Sequence, residues 1–182
     1  MTLVAKKSSL GLEPQIRLHP PAVAARRPVD DRIVQLDWSR TSLGPLPRWP
    51  ASLRIAVDMM HLSPFPCAVV WGPDLTVVHN DAYRALRGGA ADGLGQAFDT
   101  LWREIWPTVG PWVFKALEGQ SNFVEDPPLR IGSDLCGEPL WCAFGYAPLH
   151  DEQGNVAGFL HTVIETTASV EAHRHWREQA QG

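Results

Sequence analysis

Apolar residues first fall into register near the middle of the N-terminal half. Leu53, Ala56, Val57 and Met60 recur at helical spacing and make one stripe. Pro50 suits the first position of the helix that carries it, and Pro64 and Pro66 close it. Cys67-Ala-Val-Val-Trp71 is a short apolar run, Gly72-Pro73-Asp74 is a turn, and Leu75 to His79 completes a hairpin. Asn80 then caps a short helix with Tyr83 and Leu86. Leu101, Trp102, Ile105 and Trp106 share one helical face, which Pro107 ends or reopens. Val113, Ala116 and Leu117 continue a helix from about Pro111, and Gly119 stops it. Beyond this point the pattern turns to strands: Asn122 to Val124, Leu140 to Leu149 and Val156 to Ile164, with His150 to Asn155 as the loop between the last two. Two strands, several helices and three strands predict an α+β fold, a five-stranded antiparallel sheet with helices packed over one face.

Composition bounds what that fold serves. The 182 residues suit one domain with a real core. Residues 1–35 hold Pro14, Pro20, Pro21 and Pro28 without a sustained apolar period, and read as a disordered arm. A net charge of -4 argues against a dedicated nucleic-acid binder. No apolar run approaches the roughly 18 residues of a membrane span. Lys6 and Lys7 precede no apolar stretch, so a signal peptide is not expected and a cytoplasmic location is. Cys67, Cys136 and Cys142 form neither an even disulfide set nor a CxxC pair, which suits reduced thiols. Eight tryptophans suggest large aromatic packing sites or a pocket.

Catalytic constellations are weak. Glu125 and Asp126 are adjacent, so on a strand they point to opposite faces. Cys136, Cys142, His150 and His161 lack metal-ligand spacing. Glycines 88, 89, 93 and 95 lack the Lys-Ser/Thr ending of a phosphate loop and suit a flexible connector. No set of nucleophile, base and orienting group can be assembled, so an enzyme is not expected.

Several local motifs occur in a telling order: Asp37-Trp-Ser-Arg-Thr-Ser-Leu-Gly-Pro45, Trp49-Pro50-Ala-Ser-Leu53, Trp71-Gly-Pro and His79-Asn-Asp-Ala-Tyr83. Glu104-Ile-Trp106, Glu125-Asp126, Phe144-Gly-Tyr-Ala-Pro-Leu149 and Asp151-Glu-Gln-Gly154 follow them. The last strand ends Ile164-Glu165-Thr166-Thr167, similar to an acidic-x-Thr motif at a handover to an output helix. Over about Leu36 to Thr167 the chain resembles the PAS family, and specifically the PAS domains at the front of bacterial sensor histidine kinases. The resemblance implies a flanking cap helix over 36–64, a sensory domain over 65–166 and an output helix over 167–182. It implies a signalling module that binds a small organic molecule in an internal pocket, forms a homodimer, and relays occupancy to a histidine-kinase-type partner or downstream domain. No nucleic-acid or membrane partner is expected.

Two family chemistries find no matching residue. The light-sensing branch places a cysteine two residues after a glycine that here matches Gly95, and that position is Ala97, so covalent flavin photochemistry is disfavoured. The haem-binding branch uses a histidine on the long helix before the third strand, and residues 107–120 contain none. Cys142, Phe144 and Tyr146 share a strand face. By the resemblance that face lines the cavity, together with Phe159, His161 and Val163 on the last strand and Val69 and Trp71 on the first. Tyr83 and Trp106 join them from the helices, and Glu165 and Thr166 are the output positions. The bland alternative is that the aromatics simply fill the core. A buried His161 needs partners, either within the core or on a ligand. A ligand-free module signalling by dimerisation of the Leu53/Val57/Met60 helix and the tail is the second functional reading. His173 and His175 are followed by Arg174 and Trp176 in place of the acidic residue after a kinase phosphoacceptor, so neither is read as one.

Overall fold

A computed structural model of the chain describes residues 31–86, 93–125, 128–129 and 140–168, with 172, 176 and 179 beyond them. The expectations for the arm over 1–30, for glycines 88 and 89, and for Asp126, Cys136, His173 and His175 lie outside these residues.

Six strands and five α-helices make up the described fold. Helix α1 spans Asp31–Gln35 and α2 Ala51–Leu62; strands β1 (Cys67–Trp71) and β2 (Thr76–His79) form the first hairpin. Helices α3 (Asp81–Leu86), α4 (Phe98–Leu101) and α5 (Trp106–Leu117) lead to β3 (Asn122–Val124) and the two-residue β4 (Pro128–Leu129). The long strands β5 (Leu140–His150) and β6 (Val156–Glu165) close the chain's sheet. All pairings are antiparallel, in the order β2-β1-β6-β5-β3. The short β4 adds a sixth strand to the expected five, pairing separately with β5.

Strand register sorts the core onto two faces. Ala68 lies opposite His161 and Val70 opposite Phe159. Tyr146 lies opposite His161, and Phe144 opposite Val163. Directly opposed residues share a face, so these side chains meet under α3, α4 and α5, where Tyr83, Phe98, Leu101, Trp102, Val113 and Ala116 close over them. On the other face Cys67, Val69, Trp71 and Val78 pack against Ile33, Trp38, Trp49, Leu53, Val57 and Met60. The predicted α2 stripe is therefore buried against the sheet, at about 1.5–3 kcal/mol for each large side chain.

Three boundaries differ from expectation. The last five residues of the supposed arm form α1, whose Ile33 is fully buried and accepts a hydrogen bond from the Trp38 indole at 2.6 Å. The Leu101–Trp106 helix is interrupted: α4 ends at Leu101, residues 102–105 turn, and α5 begins at Trp106. Pro111 then lies inside α5 and does not begin it. Pro107 and Pro111 are both exposed, so the carbonyl that Pro111 leaves without a donor is on the solvent side. Gly119, at φ +86°, ends α5 in the left-handed conformation that only glycine adopts without strain.

Candidate functional site

The site centres on His161. Its ring stacks on Tyr146, with centroids 4.8 Å apart and planes 15° apart, and on Phe144 at 5.6 Å and 11°. Strand pairing dictates this, because β5 presents Phe144 and Tyr146 on the face to which β6 presents His161. From the helices, Phe98, Tyr83 and Trp102 approach edge-on at 5.2, 5.6 and 6.2 Å. Phe159 joins through Phe98 at 5.3 Å and Tyr146 at 5.8 Å.

A polar chain runs through this apolar cluster. The Trp102 indole N–H donates to the Tyr83 hydroxyl oxygen at 2.7 Å, and that oxygen is 3.0 Å from His161 Nδ1. His161 Nε2 is buried and has no hydrogen-bond partner among the described residues. An unpaired buried polar group costs about 1–3 kcal/mol, so this nitrogen is the least satisfied atom of the cluster. Burial disfavours the imidazolium and lowers the His161 pKa to about 3. The ring is therefore neutral at physiological pH. Burial likewise raises the Tyr146 phenol above its ordinary range and the Cys142 thiol to about 11, with Glu165 adding to the second shift. A thiol so shifted is a poor nucleophile.

Tyr83, Cys142, Phe144, Tyr146, Phe159, His161 and Val163 are all buried together on this face. Trp106 is half-buried at the rim, against Phe98 at 6.4 Å and Phe114 at 6.2 Å. Val69 and Trp71 do not belong to the site. They point to the opposite face, under α2, and the inward residues of β1 are Ala68 and Val70. Phe98 and Trp102 went unassigned in the sequence, although both touch His161. Only the aromatic clustering around Trp102 hinted at them. At the exit of the site, Glu165 ends β6 opposite Cys142 and is exposed. The Thr166 amide donates to the Trp141 carbonyl at 2.8 Å, and the Trp141 amide to Thr167 Oγ1 at 3.1 Å. Expected output residues are thus strapped to the start of β5.

Asn80 links this cluster to the other face. Its Oδ1 accepts from the Tyr83 amide at 2.9 Å, capping α3, and from the Cys67 amide at 3.2 Å. Its Nδ2 reaches the carbonyls of Met60, Ser63 and Phe65 at 3.2, 3.2 and 2.8 Å, where α2 ends.

An antiparallel sheet with a buried aromatic face under short helices defines a domain of α+β class. The chain belongs to the PAS fold family, whose sequence profile matches residues 60–171. It is a PAS sensory and signalling domain. Among solved structures, the PAS domain of Bordetella pertussis BvgS is 23% identical, with a TM-score of 0.51 over 71% of this chain and 96% of that one. The phage VqmA–DPO complex is 15% identical, with a TM-score of 0.52 over 72% of this chain. The match spans 59% of the VqmA chain. An RNA-binding Light-Oxygen-Voltage receptor is 22% identical, with a TM-score of 0.51 over 78% of this chain and 41% of the receptor. At these identities the likeness is one of fold. No curated protein matches the chain. No helix among the described residues is long and apolar enough to cross a membrane.

Proposed function

We propose that this PAS domain is the ligand-sensing part of a signalling protein and not itself a catalyst. A small, planar, uncharged molecule enters the aromatic cluster, pairs with His161 Nε2, and alters the strand that leads to Glu165 and Thr166. A histidine-kinase-type partner or downstream domain then reads that change. The observation that carries this reading is the buried, unpartnered Nε2 among aromatic rings, because such an atom is satisfied by a polar group that the cluster itself does not supply. The neutral imidazole and the aromatic walls favour an uncharged, flat ligand over an anion. The phage VqmA neighbour was solved as a complex with DPO, in keeping with a ligand reading of the shared fold.

Native mass spectrometry of freshly purified protein tests it, followed by melting curves of wild type and His161→Phe. A retained small molecule that raises the wild-type Tm and does not raise that of the variant is expected. A retained molecule that stabilises both proteins equally would remove His161 from the site.

A second reading has its own support. Five rings lie within 6.2 Å of the His161 ring, as in a core already filled by its own side chains. In that reading the domain signals through protein contacts alone, and the purified protein carries no small molecule.

A further inference from the structure

The hydrogen-bond chain through Tyr83 fixes which nitrogen of His161 carries the proton. Trp102 begins the chain: an indole nitrogen can only donate, and its N–H goes to the Tyr83 hydroxyl oxygen at 2.7 Å. That hydroxyl lies 3.0 Å from His161 Nδ1. A hydroxyl that already accepts a hydrogen bond is polarised into a stronger donor, and a chain whose members all donate in one direction is mutually reinforcing. Tyr83 accordingly gives its proton to Nδ1. Burial keeps the imidazole neutral, so the ring carries a single proton, and that proton is on Nε2. The opposite tautomer would set two N–H donors on one hydroxyl oxygen and break the direction of the chain.

The unsatisfied atom of the site is therefore a donor. His161 is 1% exposed, and its Nε2 has no hydrogen-bond partner among the described residues. Its neighbours at close range are the rings of Tyr83, Phe98, Trp102, Phe144 and Tyr146, and a ring face is a weak acceptor for an N–H. The two β5 rings lie nearly parallel to the imidazole, at 11° and 15°. A flat acceptor held in the imidazole plane lies parallel to the same rings, which suits aromatic stacking.

We propose that the ligand of this domain is a flat, uncharged molecule that presents a hydrogen-bond acceptor, a carbonyl oxygen or an unprotonated ring nitrogen, to the Nε2–H of His161. The proposal rests on the ligand reading above and adds the polarity of the contact. A molecule offering only N–H groups would leave two donors facing each other in an apolar site. A carboxylate or phosphate would bring a charge that the neutral imidazole does not compensate.

Two measurements on the full chain test it. Long-range nitrogen–proton NMR spectra of the isotopically labelled protein, assigned against His161→Phe before any probe is added, are expected to show the His161 proton on Nε2. Titrations then compare three flat probes of similar size: quinoline, whose ring nitrogen accepts, naphthalene, which does neither, and indole, whose nitrogen only donates. Quinoline is expected to bind about tenfold more tightly than naphthalene, as when one buried donor gains a partner. Indole is expected to bind no more tightly than naphthalene, and His161→Phe to bind quinoline and naphthalene alike. Should that variant fail to fold, Tyr83→Phe carries the test. Without the phenol Nδ1 loses its donor, the two tautomers become comparable, and the preference for quinoline over indole should fall severalfold. A proton on Nδ1 overturns the proposal and leaves the ligand reading standing. So does binding of all three probes with equal affinity, or a preference for indole. If none of the three binds, the cluster is a filled core, and the ligand reading falls together with this one.

Discussion

At the scale of single residues, His161 makes stability depend on pH in a window of its own. Its folded pKa is about 3 against an ordinary value of 6.5. Between those values the unfolded chain binds the proton that the folded state refuses, so stability is full above pH 6.5 and falls as pH drops toward 3. The slope approaches about 1.4 kcal/mol per pH unit well inside the window. Asp37, Asp151 and Glu152, also held below their ordinary values by hydrogen bonds, lose stabilisation only at more acid pH. Denaturant unfolding at pH 7 and pH 5 should show wild type losing on the order of 2 kcal/mol more than His161→Phe. Equal losses in the two proteins would mean that the imidazole is solvated. On β5 the large Phe144 and Tyr146 alternate with the small Ala143, Gly145 and Ala147, so their shared face was legible, and the family resemblance placed His161 on the same side. On β1 no such marker exists: all five residues from Cys67 to Trp71 are buried. Period-two reasoning then has nothing to choose a face with, and the choice of Val69 and Trp71 was one residue out of step.

Among the elements, α2 is where local sequence and tertiary contact divide the work. Its apolar stripe and its proline boundaries were readable, whereas its caps come from Glu152 and Asn80, which no local pattern connects to it. Replacing Glu152 by Ala should lower the melting temperature measurably, in the manner of a lost N-cap. The same variant should flatten the acid limb of the stability curve, since the Glu152 pKa is depressed chiefly by its bond to the Ser52 amide. Asn80 is buried and its side chain takes part in five bonds, so Asn80→Ala should cost on the order of 3 kcal/mol. Asn80→Asp keeps the acceptor for the Cys67 and Tyr83 amides but turns a second oxygen toward three carbonyls, so it should be no milder. An Asp variant as stable as wild type would mean that the contacts to Met60, Ser63 and Phe65 contribute nothing. Gly158 sets the approach of β6 to β1: a Cβ there would overlap the Val70 carbonyl oxygen and reach Trp71 Cα at 2.9 Å. The interrupted helix near Trp102 escaped sequence reasoning for a different reason. One helical turn followed by a turn of chain keeps nearly the same three- and four-residue spacings as a continuous helix.

For the whole molecule, the question is how a change at the aromatic core leaves it. One route is β6 itself, from Phe159 and His161 to the Thr166–Trp141 strap. The other passes from His161 to Tyr83, through the cap of α3 to Asn80, and so to the end of α2 on the opposite face. Tyr83→Phe removes the hydroxyl that joins Trp102 to His161 while keeping the ring volume. Losing that link should cost about 1–3 kcal/mol, and each 1.4 kcal/mol of lost local stability is a tenfold faster exchange of amides that open locally. Coupling along the strand predicts at least about tenfold faster exchange from Phe159 to Thr167. Coupling through Asn80 predicts the same in Met60 to Cys67, across the sheet from the altered residue. Both segments are expected to respond, because Asn80 caps the helix that carries Tyr83. If only the first responds, α2 is a passive cover of the sheet, blind to the core. If neither does, occupancy of the core has no path to either end of the domain, and the sensory mechanism fails even with the fold intact.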